Sequence, residues 1–353
     1  MTIRQTLIKT ADRMTAIKND GMDESCPIGI IDISNWEWPQ GVGMYGLFKL
    51  YKATGEKKYL AYLEDWYDGN IKKGLPPRNV NTTAPMLALT YIYEETKRGD
   101  YLELITDWAR WVHEDMTRTE EGGIQHAVSG EENSGQLWID TLFMTALFLA
   151  RAGVLLGVDE YKEDAKKQFL IHIKYLYDKK TGFWFHGWSF EGRHNFAEAL
   201  WARGNCWYTI GACEILEILG IKDGAFYDYI TDTLASQAEA LYKAQDEGGG
   251  WHTLLNDKTS YIEVSAAAGF CCGLLKAVRM GCIDEKYRET GLKALKCVID
   301  NISGDGTVEN VSYGTGMGRD LDHYRNIPLC PMTYGQALAV LALMEGLYND
   351  ENA

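Results

Sequence analysis

Of the acidic residues in this chain, Asp140 stands where chemistry is easiest to build. It lies in Gln136-Leu137-Trp138-Ile139-Asp140-Thr141-Leu142-Phe143-Met144, just behind a tryptophan and ahead of an apolar run through Ala146, Leu147, Leu149 and Ala150 to Gly153. That order predicts a carboxylate at a helix mouth, preceded by a Gly- and acid-rich turn segment over 121–135. An aspartate at such a place can simply cap free N–H groups, so a catalytic reading needs partners. Trp201-Ala202-Arg203-Gly204-Asn205-Cys206-Trp207 offers two, because Arg203 and Trp207 are spaced i, i+4 and share a helix face. A guanidinium beside an indole suits an anionic ring, pairing with a carboxylate in bidentate fashion while the flat face meets the sugar. The competing reading is a core tryptophan plus a structural ion pair. His186 sits in the aromatic loop Phe183-Trp184-Phe185-His186-Gly187-Trp188, too short for a buried strand of its own, and His126 and His252 hold the same place in related loops.

Other chemistries lack their residues. There is no GxSxG nucleophile motif and no Cys-His pair in sequence context. The histidines are scattered, without HxxE or HxH spacing, so neither a metal site nor a cofactor is expected. Gly314-Thr315-Gly316-Met317-Gly318 has no Lys-Ser/Thr behind it and no strand ahead of it, which argues against a phosphate loop. Carboxylate chemistry remains. Glycosidases ordinarily use two acids at a set separation; Glu191, Glu198, Asp246, Glu247 and Glu263 lie near loops, but sequence alone does not pair any of them with Asp140.

Composition narrows the partner. A formal charge of −15 argues against nucleic acid and anionic membranes, which need a basic face, and favours a short anionic fragment held by local cations over a long polyanion. The 11 Trp and 21 Tyr suit carbohydrate stacking, although large helical cores also consume aromatics. Eight cysteines without CxxC spacing, most in apolar helical segments, read as small hydrophobes in a reduced compartment. With no apolar signal core after Met1 and no run long enough to cross a bilayer, the expectation is a soluble cytoplasmic protein.

The elements that position these residues repeat. Six apolar, small-residue segments begin near Gly41, Thr82, Asp140, Arg203, Ser265 and Tyr334, and alternate with six amphipathic ones at 2–18, 57–73, 101–115, 161–177, 225–244 and 285–302. Helices with a polar face alternating with helices apolar all round imply two concentric layers. The prediction is an all-α (α/α)6 barrel of six helical hairpins, one domain over 1–353. The loops at Gly123, Gly182, Gly249 and Gly304 each follow an outer helix and precede an inner one, so they should crowd one mouth, at helix N-termini.

Leu137-Trp138-Ile139-Asp140, the His186 loop and the Trp201-x-Arg203-x-x-x-Trp207 cluster together resemble the unsaturated glucuronyl and galacturonyl hydrolases of glycoside hydrolase family 105, relatives of family 88, across essentially the whole chain. The resemblance implies removal of the 4,5-unsaturated uronic acid from the non-reducing end of lyase-generated oligosaccharides, typically rhamnogalacturonan fragments of pectin. The reaction implied is hydration of the C4=C5 enol ether: one aspartate protonates C4, then takes a proton from the water added at C5, and the hemiketal opens. By this resemblance Asp140 is the general acid/base, His186, Trp201, Arg203 and Trp207 grip the uronate, and Trp38, His126 and Trp138 line the same subsite. Family members carry a second aspartate near the second inner helix, where this chain reads Arg78-Asn79-Val80-Asn81; Asn79, as its counterpart, would orient substrate without acting as a base. For Asp140 itself, a helix N-terminus lowers the pKa while desolvation by Trp138 and a bound anion raises it, and the sequence leaves the sign open. Two other functions remain at this point: an (α/α)6 inverting glycosidase or sugar epimerase, and a non-catalytic carbohydrate-binding scaffold.

Overall fold

The computed structural model describes residues 1–18 and 32–351; Cys26 lies outside the described residues. The outer helices are α1 (Ile3–Thr15), α3 (Lys57–Lys73), α5 (Gly99–Glu114), α7 (Asp159–Leu176), α9 (Ala225–Ala244) and α11 (Arg288–Asp300). The inner ones are α2 (Trp38–Thr54), α4 (Val80–Thr96), α6 (Leu147–Leu156), α8 (Ala202–Leu219), α10 (Val264–Arg279) and α13 (Thr333–Glu351). Each inner helix packs on the next, α2 on α4, then α6, α8, α10 and α13, and α13 returns to α2, so the ring closes; one outer helix backs each inner one. The predicted alternation is therefore the observed one, and the fold is the expected helical barrel.

Patterning explains the two layers. α5 buries Tyr101, Ile105, Trp108, Ala109 and Val112, a single stripe at helical spacing, whereas α8 is buried continuously from Ala202 to Leu216. Small residues let the inner ring close: a Cβ on Gly41 of α2 would lie 2.6 Å from the Pro85 nitrogen of α4. Among the described residues no helix is long and apolar enough to cross a membrane.

The repeated loops share one turn. Thr119 N–H donates to Gly123 O (2.8 Å), Asp178 to Phe183 (2.8 Å), Asp246 to Gly250 (2.9 Å) and Ser303 to Thr307 (2.9 Å). Each turn contains a glycine in the left-handed region, Gly122, Gly182, Gly249 or Gly306, with φ between 80° and 93°, which explains the recurring Gly in sequence.

Three features were not in the sequence reading. The loop segments Gln136–Trp138 (β1) and Gly187–Ser189 (β2) pair antiparallel, with Trp138 opposite Gly187, so the tail of the aromatic loop is a strand once it has a partner. One π-helical turn, Leu142–Ala146, separates Asp140 from α6. A short helix, α12 (Leu321–Arg325), sits in the last loop before α13.

Candidate active site

At the mouth formed by the inner-helix N-termini lies a cavity lined by Trp38, Asn81, His126, Val128, Glu131, Trp138, Asp140, Met144, Trp201, Arg203 and Thr315. Asp140 reaches it because β1 ends at Trp138 and Ile139 N–H then donates to His186 O (3.1 Å), locking the two loops together beside the carboxylate. The Asp140 carbonyl accepts the N–H groups of Phe143 (3.1 Å) and Met144 (3.0 Å), starting the π turn. Such turns recur at functional sites. Its side chain does something else: Oδ1 accepts the Trp207 indole N–H (3.1 Å), and Oδ2 lies 3.6 Å from Nε2 of His186. The capping role open to Asp140 in sequence is thus not how the carboxylate is used.

Burial alone would raise the Asp140 carboxyl, but facing His186 and, beyond it, His126 outweigh burial and hold it below its ordinary value. Burial depresses His186 below the usual imidazole range against the upward pull of Asp140, and it takes His126 down to about 3. Both imidazoles are therefore neutral at neutral pH, facing an ionised carboxylate. His126 stacks on Trp138 with ring centroids 4.2 Å apart, and its Nδ1 lies 2.8 Å from Thr141 Oγ1.

The structure brings Trp38, His126, Trp138, Asp140, Trp201 and Arg203 to one cavity and redistributes the other expected residues. His186 and Trp207 are 2% and 0% exposed and do not line it; they hold Asp140 from behind, because β2 and α8 place them on the far side of the carboxylate. Asn79 is placed off the cavity lining. It caps α4, its Oδ1 accepting Thr82 N–H (3.0 Å) and its Nδ2 donating to Ser129 Oγ (3.0 Å), and Asn81, one position into the helix turn beyond Val80, takes the cavity wall. His252, a repeat mate of His126, points its Nδ1 at the Ser260 carbonyl and is absent from the lining.

Arg203 departs from the expected bidentate grip. Its Nη1 donates to Ser312 O (3.1 Å) and its Nη2 to Tyr313 O (3.1 Å) and Thr315 Oγ1 (2.8 Å), while the plane lies over Trp201 and Tyr334. Among its donors Nε is buried without a hydrogen-bond partner. Thr315 belongs to the Gly-rich run that sequence reading set aside; it serves as an arginine anchor and cavity wall. Glu263, the nearest buried acid, is 3.8 Å from Arg203 and is committed to capping α10 through Ser265 N–H (3.1 Å) and Ala266 N–H (2.7 Å). Glu131, exposed on a tight turn with Val128, is the other carboxylate on the wall.

A helical barrel whose N-terminal mouth holds one caged aspartate, three indoles and a fixed arginine has the makings of a carbohydrate-active site. The chain matches the model of Glycosyl Hydrolase Family 88 over residues 9–349, and it belongs to that family. It is 33% identical over 315 residues, 88% of this chain and 90% of the relative, to the unsaturated rhamnogalacturonyl hydrolase YesR of Bacillus subtilis. Crystal structures of possible members of family GH105 are closely similar: one from Salmonella enterica (44% identity, TM-score 0.95, covering 99% of this chain and 94% of that one) and one from Klebsiella pneumoniae (43%, 0.94, 99% and 93%).

Proposed function

We propose that the protein removes the 4,5-unsaturated uronic acid from the non-reducing end of short lyase-generated oligosaccharides, with rhamnogalacturonan fragments as the substrate class. The observation that carries this reading is a single deeply set carboxylate, Asp140, held between an indole N–H and a neutral imidazole in an aromatic-walled cavity. Hydration of an enol ether needs one group that first gives and then takes a proton, whereas displacement at the anomeric carbon needs two acids at a set separation.

Asp140 must hold a proton when it acts, yet in the free protein it is ionised. Substrate binding supplies the change: an anionic ring that expels water from the cavity adds negative charge and low dielectric beside Oδ2, and both raise the carboxyl. Protonation at C4 places the positive charge on C5 and the ring oxygen; water adds at C5, Asp140 takes its proton, and the hemiketal opens with loss of the glycosidic bond. Trp38, Trp138 and Trp201 offer flat faces to the sugar. Arg203, through Nε and its fixed charge, attracts the substrate carboxylate, and Asn81 and His126 supply polar contacts. The seven described cysteines are free thiols, which supports a reducing, cytoplasmic setting.

Glu131 on the cavity wall favours a second reading, an inverting glycosidase with Asp140 and Glu131 as its acid pair. One panel separates the two. Incubation with unsaturated disaccharides and their saturated counterparts is expected to give loss of the enol-ether ultraviolet absorbance and release of sugar from the unsaturated members alone; turnover of saturated substrates at comparable rates would overturn the hydration reading.

A further inference from the structure

We infer that Tyr324 of α12 is a positioning residue for the reaction: its phenol holds His186 in the tautomer that turns a ring N–H toward Asp140. The inference deepens the role given to Asp140 above and rests on it. Tyr324 Oη lies 2.8 Å from Nδ1 of His186, and it accepts the Gly318 N–H at 3.1 Å. One phenolic hydrogen then remains to be placed. Its possible acceptors are Nδ1 at 2.8 Å and the Met317 thioether at 3.7 Å, a weak acceptor. Donation to Nδ1 leaves that nitrogen bare and puts the ring proton on Nε2, which faces Asp140 Oδ2 across 3.6 Å. The opposite tautomer would set a nitrogen lone pair against a carboxylate oxygen, with both atoms buried and lacking any other hydrogen-bond partner. Burial pushes the phenol well above its ordinary range, so it keeps its proton at every working pH.

The phenol is held in place by its surroundings. Its ring packs edge-on to His186 and tilted against Trp201, and Asp320 caps the five-residue helix by accepting His323 N–H at 2.9 Å. The charged and titratable groups facing His186 are Asp140 ahead of α6, Arg203 on α8, His126, and Tyr324 and His323 on α12; those facing Asp140 are His186, His126, Arg203, Cys206 and Tyr324. Removing one phenolic oxygen leaves all the charges unchanged, and the ring nitrogens of His186 report its loss directly.

The test uses ¹⁵N-histidine-labelled protein, with His186 assigned by the signals lost in His186→Gln. In the wild type the His186 proton is expected on Nε2 at neutral pH. In Tyr324→Phe, which keeps the ring packing, the His186 nitrogens are expected to move toward a mixed or Nδ1–H pattern. The alkaline limb of kcat should rise by roughly one pH unit as Asp140 loses a donor to its charged form, with KM little changed. A wild-type spectrum with the proton on Nδ1, or a folded Tyr324→Phe protein whose His186 signals are unaltered, would overturn the inference. The spectra are read on the free protein, so they decide it even if the substrate assignment fails.

Discussion

The two ends of the barrel treat buried charge in opposite ways. At the C-terminal ends of the inner helices, Lys276 is sandwiched between Glu214 and Glu217, at 2.7 Å each, Tyr45 donates to Glu214 (2.6 Å), Lys49 lies 3.4 Å from Glu217, and Arg279 grips Glu345 with two bonds of 2.9 and 2.7 Å. Lys49, Glu214, Glu217, Lys276, Arg279 and Glu345 line a cavity, yet each has a partner of opposite sign. Burial would raise Glu214, but Lys276 and Lys49 outweigh it and bring it down to about 2. At the N-terminal mouth, Asp140 Oδ2, His186 Nε2 and Arg203 Nε are buried without a hydrogen-bond partner. Buried polar atoms left without partners are costly; others lie elsewhere in the fold, Arg151 Nε and Thr290 Oγ1 among them, but these three gather at and behind one cavity. The C-terminal end spends its charged groups on one another, and the N-terminal mouth keeps polar atoms unspent beside the cavity.

That contrast can be broken at either end. The largest effect is expected from Asp140→Asn: kcat on an unsaturated disaccharide should fall roughly a thousandfold, the scale of a lost general acid. Titration of tryptophan fluorescence should show the disaccharide still bound, and turnover above a few per cent of wild type would remove Asp140 from its role. Lys276→Met addresses the other end. Leaving buried Glu214 with only the more distant Lys49 and the Tyr45 hydroxyl should cost about 3 kcal/mol in urea unfolding, while kcat of the folded protein stays put. A loss below about 1 kcal/mol would mean the network is a bystander, and adding Glu214→Leu should restore much of the stability.

A further test sharpens the comparison through pH. His126 and His172 are buried neutral imidazoles whose folded pKa values drop, mainly by burial, to about 3 and about 4. Because the unfolded chain binds protons that the folded one does not, stability is lost as pH falls below about 6.5, by up to about 1.4 kcal/mol per unit for each histidine, and the loss levels off only at the folded values. Thermal melts between pH 7 and 4.5 should show Tm falling steadily; a flat profile would show that the imidazoles reach water.

Much of this was legible in the chain. The twelve barrel helices follow from a 3.6-residue pattern in which one set has a polar face and the other has none, and α3 and α9 begin and end where that pattern does. Such periodicity is local, so a linear reading captures it. Asp140, Trp138, Arg203 and the loop histidines were likewise visible as candidates at repeated positions ahead of inner helices, although of those histidines only His126 lines the cavity.

The site's division of labour needed the third dimension. Whether Asn79 or Asn81 lines the cavity depends on which of them caps α4; that His186 backs the carboxylate depends on a pair of three-residue strands far apart in sequence, and that Trp207 does so depends on how α8 packs. Arg203 is held by backbone carbonyls more than a hundred residues on, and Tyr324 meets His186 across 138 positions. Sequence alone determined which helices form and which residue types arrive at one mouth, because both follow from patterns within a turn or two. Only the tertiary structure decided which donors remain unspent there, because hydrogen-bond geometry is set by ångström-scale contacts between loops that no local pattern encodes.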